Sequence, residues 1–208
     1  MFESLPIEGD LHLPDSVGRA PAVLIAPGRG YHRGLPLMRE LAKCAGAAGL
    51  VAARFDWRYH TNGGEPRDDS SDVVADLRAV LFGLMSHPRV DNKRIAIAGK
   101  SMGSAVGWNV FRAERVAAIA LLTPLAPTND MRAKTYPGFA GEERPIFLVG
   151  GKGDPFAASL GALALSSPSQ VTTLLVGGGH GLSETSTDAH YVPLAVDCTV
   201  AWLKRVLR

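Results

Sequence analysis

The sequence lacks a strong charge of either sign, and it lacks any long apolar run. Its 208 residues include 22 lysines and arginines against 20 aspartates and glutamates. The formal net charge of +2 gives no basic surface typical of nucleic-acid binding. No apolar stretch approaches the roughly 18 residues of a membrane-spanning helix, and the first residues do not resemble a signal peptide. We therefore expect a cytoplasmic protein that binds neither nucleic acid nor membrane.

Cysteine is also scarce. Cys44 and Cys198 each lie in a helical pattern, and the Cys-x-x-Cys spacing of zinc and redox sites does not occur. His-x-x-x-His spacing is absent as well. Without a secretory signal, two reduced core thiols are favoured over a disulfide. We expect no metal and no bound cofactor.

What the sequence does contain is an alternation of apolar strands and helices, in a length that suits a single domain over residues 1–208. Uniformly apolar strands separated by helices predict a mostly parallel central sheet with helices on both faces. Residues 123–144 are predicted to be irregular and too short to form a large cap. The predicted strands cover residues 5–13 (a short edge strand), 22–26, 50–55, 94–98, 116–122, 146–149 and 171–176. The predicted helices cover residues 35–48, 73–85, 104–113, 155–165 and 191–207.

The segment Gly99-Lys100-Ser101-Met102-Gly103 follows one of these strands and precedes a helix. Such a tight turn between strand and helix is called a nucleophile elbow, and a serine on it is held out of the sheet with its hydroxyl exposed. Strand and helix pass so close there that a Cβ at Gly99 or Gly103 would collide with its surroundings. An ordinary glycine-rich loop explains the five residues alone equally well, so the interpretation depends on the other strand ends.

Two further strand-end loops carry an acid and a histidine. Asp154 follows the strand at 146–149, and His180 follows the strand at 171–176. Because parallel strands end at the same edge of a sheet, we expect both residues to approach Ser101. A histidine can take the proton of a serine hydroxyl near neutral pH, and a buried carboxylate fixes its tautomer. The chain order therefore predicts a nucleophile (Ser101), an acid (Asp154) and a base (His180).

Two other charged residues lie near the predicted site. Asp56 also ends a strand and is the best competing acid. Asp154 is preferred, because its loop directly precedes the helix, strand and loop that lead to His180. Lys100 is expected to point away from the elbow, into a structural salt bridge.

A serine hydrolase also needs two backbone N–H groups that bind the oxyanion. Met102, directly after the nucleophile, is predicted to supply one. Arg29 or Gly30, in the loop after the strand at 22–26, is predicted to supply the other. Core packing would explain nearby aromatic residues as well as a role in the site would. The candidates for the pocket wall are Tyr31, Trp57 and Phe156.

These stretches resemble the α/β-hydrolase superfamily, and in particular its small, uncapped, dienelactone-hydrolase-like members. The resemblance runs from about Gly9 to the C-terminus and is carried by residues 9–14, 22–30, 99–104, 153–156 and 179–180. It implies an α/β-hydrolase fold without a large cap domain, with Ser101, Asp154 and His180 as the catalytic residues. The chain departs from the usual pattern where Pro27-Gly28 replaces His-Gly in the oxyanion loop. It also has a serine where dienelactone hydrolases proper use a cysteine, which indicates ester or acyl-transfer chemistry.

Two nucleotide-binding patterns compete with this interpretation. Gly99-Lys100-Ser101 matches the end of a P-loop, but Arg94 stands where the first glycine of that motif is required. Glycines 28, 30 and 34 resemble a dinucleotide-binding fingerprint with Asp56 as its acid. Gly28 and Asp56 are 28 residues apart, however, against an expected spacing of about 20. A dinucleotide-binding oxidoreductase and a non-catalytic hydrolase-fold scaffold remain the alternatives.

The sequence therefore predicts a serine hydrolase that cleaves small ester-like substrates through an acyl-enzyme intermediate. Because the connection between the strands at 116–122 and 146–149 is short, we expect an open cleft rather than a lidded one. The expected partner is a small-molecule acyl substrate, and the pattern makes no prediction of oligomeric state.

Overall fold

A seven-stranded sheet forms the centre of the structure. The computed structural model describes residues 6–125, 133–166, 170–183 and 191–208. The spatial order of the strands is β1-β3-β2-β4-β5-β6-β7, and all neighbours are parallel except β1, which runs antiparallel to β3. The strands are β1 (Gly9–His12), β2 (Ala20–Ala26), β3 (Val51–Phe55), β4 (Val90–Lys100), β5 (Ala118–Leu122), β6 (Ile146–Gly151) and β7 (Val171–Val176). The predicted mostly parallel α/β sheet is confirmed.

Helices cover both faces of this sheet. They are α1 (Pro36–Ala47), α2 (Arg58–Thr61), α3 (Ser71–Ser86), α4 (Met102–Ala113), α5 (Ala157–Ser166) and α6 (Val192–Val206). Helices α1 and α6 pack on one face, and α3, α4 and α5 pack on the other. Because both faces are covered, the central strands are apolar on both sides, and every residue of β5 is buried.

The structure differs from the sequence prediction at several boundaries. Strand β4 begins at Val90 rather than at residue 94. Residues 91–94 are polar and mostly not buried, so the apolar pattern does not extend over them. Helix α4 begins at Met102, directly after the elbow serine, and the single turn of α2 was not predicted. Residues 126–132 of the predicted irregular segment lie outside the described residues. The described part of that connection contains short helical turns, such as Phe139–Gly141, and no large cap.

The order of the strands creates a topological switch point at the centre of the sheet. From β2 the chain continues outward to β3, whereas from β4 it continues in the opposite direction to β5. The loops that leave the carboxyl ends of β2 and β4 therefore diverge, and ligands bind at such switch points. The pairing of these two strands ends with Ala26 opposite Gly99, so the elbow and the loop after β2 start side by side.

Both cysteines are free and partly buried against the core, as predicted. Within the described ranges, no helix combines the length and the apolar character needed to cross a membrane. Over the same residues, no group of three or more histidine, cysteine, aspartate or glutamate side chains is arranged to hold a metal ion.

Candidate active site

Ser101 lies on a strained turn between β4 and α4. Its backbone has φ 54° and ψ −117°, a conformation that residues with a side chain rarely adopt and that is common at functional turns. A Cβ at Gly99 would lie 2.2 Å from the carbonyl oxygen of Gly103. A Cβ at Gly103 would lie 2.5 Å from the carbonyl oxygen of Ala26. The steric role predicted for both glycines is confirmed, since either side chain would force the helix away from the sheet.

The side chains of Ser101, His180 and Asp154 form a continuous hydrogen-bonded chain. The distance from Ser101 Oγ to His180 Nε2 is 2.9 Å, and that from His180 Nδ1 to Asp154 Oδ2 is also 2.9 Å. The Asp154 side chain is 3% exposed, whereas that of His180 is 31% exposed. The structure thus brings together three residues that are separated by 53 and 26 positions in the chain.

The surroundings of Asp154 favour its charged form. Burial by itself would raise the pKa of this carboxyl group, but hydrogen bonds from His180 and from the Phe156 N–H lower it, and so do the charges of His180 and Lys100. The net effect is a lowered pKa, so Asp154 is a carboxylate at neutral pH. Such a carboxylate can hold an imidazole with its proton on Nδ1 and leave Nε2 free to accept the serine proton.

The loop between β6 and α5 and the loop after β7 are joined through their backbones. The Gly153 N–H donates to the Gly178 carbonyl at 2.8 Å, which holds together the two loops that carry Asp154 and His180. Phe156 packs edge-on against the imidazole of His180 with 5.5 Å between ring centres. This candidate wall residue therefore lies directly beside the base.

The loop after β2 approaches the serine from the other side. A Cβ at Gly28 would lie 3.2 Å from the Cβ of Ser101. The Gly30 N–H donates to the hydroxyl of Tyr59 at 3.4 Å, and the Tyr31 N–H donates to the carbonyl of Gly28 at 3.1 Å. Of the two N–H groups predicted from this loop, Gly30 therefore already has a protein acceptor.

Met102 is the first residue of α4. The first N–H groups of a helix have no partner within it, and they lie at its positive end. The backbone N–H of Met102 is thus oriented by the same turn that orients Ser101.

The candidate wall residues differ in their exposure. Trp57 is fully buried, and its Nε1–H donates to the carbonyl of Pro27 at 3.0 Å. It therefore supports the loop after β2 from the core and offers no surface to the cleft. Tyr31 is half-buried, as is Phe156.

Asp56, the competing acid, has a different partner. Its carboxylate accepts the Arg33 backbone N–H at 2.5 Å and forms an ion pair with the guanidinium of the same residue. Arg33 also reaches Glu8 and Asp10. The carboxylate that the dinucleotide interpretation needs for a ribose is thus part of an ion-pair network that fastens the loop after β2.

The salt bridge predicted for Lys100 is wrong. Its side chain is buried, and Nζ donates to the backbone carbonyl of His180 at 3.0 Å. The same nitrogen lies 4.9 Å from the centre of the Tyr31 ring. The carbonyl lies 80 positions away in the chain, so no local pattern could have predicted this contact.

A second support of the elbow also escaped sequence reasoning. The Ser104 hydroxyl donates to the carbonyl of Ser101 at 2.6 Å and lies 2.8 Å from the hydroxyl of Tyr136. A serine one turn into the helix was visible in the sequence, but its tyrosine partner comes from the irregular connection after β5.

Comparison with known proteins places the chain in a family. A family model described as an alpha/beta hydrolase domain matches residues 19–195. An uncharacterised protein of Mycobacterium tuberculosis is 34% identical over 123 residues. That match covers 59% of this chain and 42% of the relative, so the chain matches less than half the length of the curated relative.

Several solved structures have the same fold. An esterase from Pyrococcus furiosus superposes with a TM-score of 0.71 at 18% identity, over 98% of this chain and 94% of that one. A dienelactone hydrolase from Anabaena variabilis gives 0.68 at 18% identity, over 100% and 95%. An alpha-beta serine hydrolase homologue from Coxiella burnetii gives 0.70 at 22% identity, over 97% and 92%. At these identities the likeness establishes the fold.

Proposed function

This chain belongs to the α/β-hydrolase family, and we propose that it is a serine hydrolase acting on small ester-like substrates. The observation that carries the proposal is the unbroken chain from Ser101 Oγ through His180 to Asp154, with 2.9 Å at each step. A serine hydroxyl is a weak nucleophile until a base takes its proton, and this arrangement supplies the base.

In the proposed reaction, Ser101 Oγ attacks the substrate carbonyl carbon while its proton moves to His180 Nε2. Asp154 stabilises the imidazolium that forms. The proton then passes to the leaving alcohol as the bond between the carbonyl carbon and the alcohol oxygen breaks. An acyl-enzyme remains, and a water molecule deprotonated by His180 releases it as the acid.

The oxyanion of each tetrahedral intermediate is bound by two backbone N–H groups in this proposal. Met102 supplies one from the start of α4. Arg29 supplies the other, because the Gly30 N–H already donates to Tyr59. Preorganised donors of this kind lower the barrier, since they are already in place when charge develops.

The proposed substrate class follows from the shape of the site. The described part of the connection after β5 forms no large cap, and the base is 31% exposed. Both features favour a short acyl group that reaches Ser101 from an open edge of the sheet. An esterase and a dienelactone hydrolase among proteins of this fold support an ester-like substrate. A cytoplasmic location and a single domain remain predictions.

The test is hydrolysis of a series of p-nitrophenyl esters together with labelling by a fluorophosphonate. We expect the label on Ser101 and a preference for short acyl chains. Ser101→Ala should lower kcat by about 10³-fold or more. Ser86→Ala, at the far end of α3, is the matched control and should react like the wild type.

Each alternative has a distinct outcome in the same experiment. Absence of labelling on correctly folded protein would favour a non-catalytic hydrolase-fold scaffold. Saturable binding of NAD(P)H in a fluorescence titration would favour the dinucleotide interpretation instead. Equal turnover by Ser101→Ala and the wild type would contradict the assignment of the nucleophile.

A further inference from the structure

A buried lysine directly precedes the candidate nucleophile. Lys100 ends β4 and is 1% exposed, although a lysine is rarely buried unless it is paired. Its Nζ donates to the carbonyl of His180 at 3.0 Å and lies 4.9 Å from the centre of the Tyr31 ring. A methionine of similar length would fill this space without the free-energy penalty of burying a charge, so packing does not explain the residue.

The two contacts of Lys100 belong to different parts of the site. The carbonyl belongs to His180, the candidate base. The ring belongs to the loop after β2, two residues beyond Arg29, the candidate oxyanion donor. One ammonium group therefore connects the two loops that flank Ser101.

We propose that Lys100 is a positioning residue, whose ammonium group holds the His180 backbone and the Tyr31 ring so that base, nucleophile and oxyanion loop meet. Its effect on turnover rests on the proposed function, whereas the contacts themselves do not. Lys100 does not act as the base, because His180 Nε2 lies at Ser101 Oγ and a protonated lysine has no acceptor.

Among the described residues, the groups around the ammonium come from three titratable residues, Tyr31, His180 and Asp154. The Tyr31 ring faces it from the loop after β2, the backbone carbonyl of His180 accepts its hydrogen bond from the loop after β7, and the Asp154 carboxylate acts on it through its charge from the loop between β6 and α5. Burial lowers the pKa of Lys100 to about 8, against the opposing effect of the Asp154 carboxylate. Burial raises the pKa of Tyr31, so the ring stays neutral over the range in which the lysine titrates.

Loss of this proton weakens both contacts. A neutral amine has no cation–π attraction to Tyr31, and it is a poorer donor to the His180 carbonyl than an ammonium. We therefore expect the rate of Ser101 acylation to fall as the pH rises through about 8. The lysine proton goes to the solvent, and the bonds that form and break in the proposed reaction stay the same.

The first measurement requires no turnover. Carbonyl-13C labelling of histidine and side-chain labelling of lysine allow the His180 carbonyl and the Lys100 Cε to be followed by NMR between pH 6.5 and 10. We expect both signals to titrate together with a midpoint near 8. In Lys100→Met the transition near pH 8 should be absent from the His180 carbonyl signal. Independent titration of the two signals would overturn the proposal.

The second measurement is the pH profile of kcat/KM for p-nitrophenyl acetate. Lys100→Met should be roughly 10- to 100-fold slower at neutral pH, because a charge-assisted hydrogen bond is lost. Its profile should also lack the decline above pH 8. Lys100→Gln keeps a neutral donor, so it should be intermediate in rate and also lack the decline. Circular dichroism checks that each variant is folded.

The outcomes separate this proposal from the proposed function. If Lys100→Met keeps the wild-type rate and the wild-type alkaline decline, Lys100 is not a positioning residue. If the wild type neither labels nor turns over but the two NMR signals titrate together, the proposed function fails and the link between Lys100 and His180 stands. If the wild type turns over ester but the His180 signal does not titrate with Lys100, the proposed function stands and the link between Lys100 and His180 fails.

Discussion

Two carboxylates end parallel strands at the same edge of the sheet, and their neighbours give them different tasks. Asp56 follows β3, Asp154 follows β6, and they are almost equally buried, at 7% and 6% exposure. Asp56 binds the backbone N–H and the guanidinium of Arg33. Asp154 binds the imidazole of His180 and the backbone N–H of Phe156.

The difference lies in the chemistry of the partner rather than in the acid. An arginine is always charged, so the pair of Asp56 and Arg33 is permanent and fastens the loop after β2. A histidine can change its charge, so the partner of Asp154 can take up a proton in the proposed reaction, whereas the partner of Asp56 cannot. The cations that interact with the two carboxylates differ as well. The pKa of Lys100, which feels the charge of Asp154, is lowered by burial, whereas the pKa of Arg33 is raised by its carboxylate partners.

The largest expected effect is on turnover. Asp154→Asn should lower kcat for a short-chain ester by about 10⁴-fold, because the amide favours the wrong histidine tautomer. Asp56→Asn, the matched substitution in the other region, should lower kcat by less than roughly tenfold, since it acts only through the position of a loop. A greater loss in Asp56→Asn would reverse the two assignments.

For the free energy of unfolding we expect the opposite order, with the larger loss in Asp56→Asn. Asp56→Asn removes the buried charge that pairs with the Arg33 guanidinium, which Glu8 and Asp10 still contact, and it should lower the free energy of unfolding by roughly 2 kcal/mol. Asp154→Asn should lower it by less than about 1 kcal/mol, because the amide oxygen still accepts the Phe156 N–H. Urea unfolding at neutral pH measures both. Equal losses would mean that the two acids share a structural role.

A smaller effect concerns the cation beside Asp154. The folded protein lowers the pKa of Lys100 from 10.5 to about 8, so between these pH values unfolding takes up a proton at this residue. The free energy of unfolding therefore rises with pH in the wild type, by up to about 3 kcal/mol relative to Lys100→Met. Urea titrations of both proteins from pH 7.5 to 10.5 measure this difference. A constant difference across that range would show that the lysine titrates normally in the fold.

The three candidate catalytic residues could be predicted because each lies in the loop or turn that follows a strand. Parallel strands end at one edge, so a local pattern was sufficient to place Ser101, Asp154 and His180 near one another. The steric role of Gly99 and Gly103 could also be predicted, since the turn between strand and helix leaves no space for a side chain. The start of β4 could not be predicted in this way, because polar residues 91–94 separate Val90 from the apolar part of the strand.

The partners of the buried charges could not be predicted in this way. Lys100 was expected in a salt bridge, and it binds a carbonyl 80 positions away. In the sequence both Asp56 and Asp154 follow strands, and only the structure shows that Asp56 binds Arg33, 23 positions away. Trp57 was a candidate for the pocket wall, and it supports Pro27 from within the core.

By itself, the sequence determined the order of strands and helices, the strained turn at Ser101 and the chain order of the three candidate catalytic residues. These features depend on periodicity and on sterics between residues that are close in the chain. Only the tertiary structure decided that Asp154 binds a histidine and Asp56 an arginine. It also decided where the side chain of Lys100 points. Burial makes each charge dependent on a particular partner, and that partner is chosen by the packing of loops that are distant in the chain.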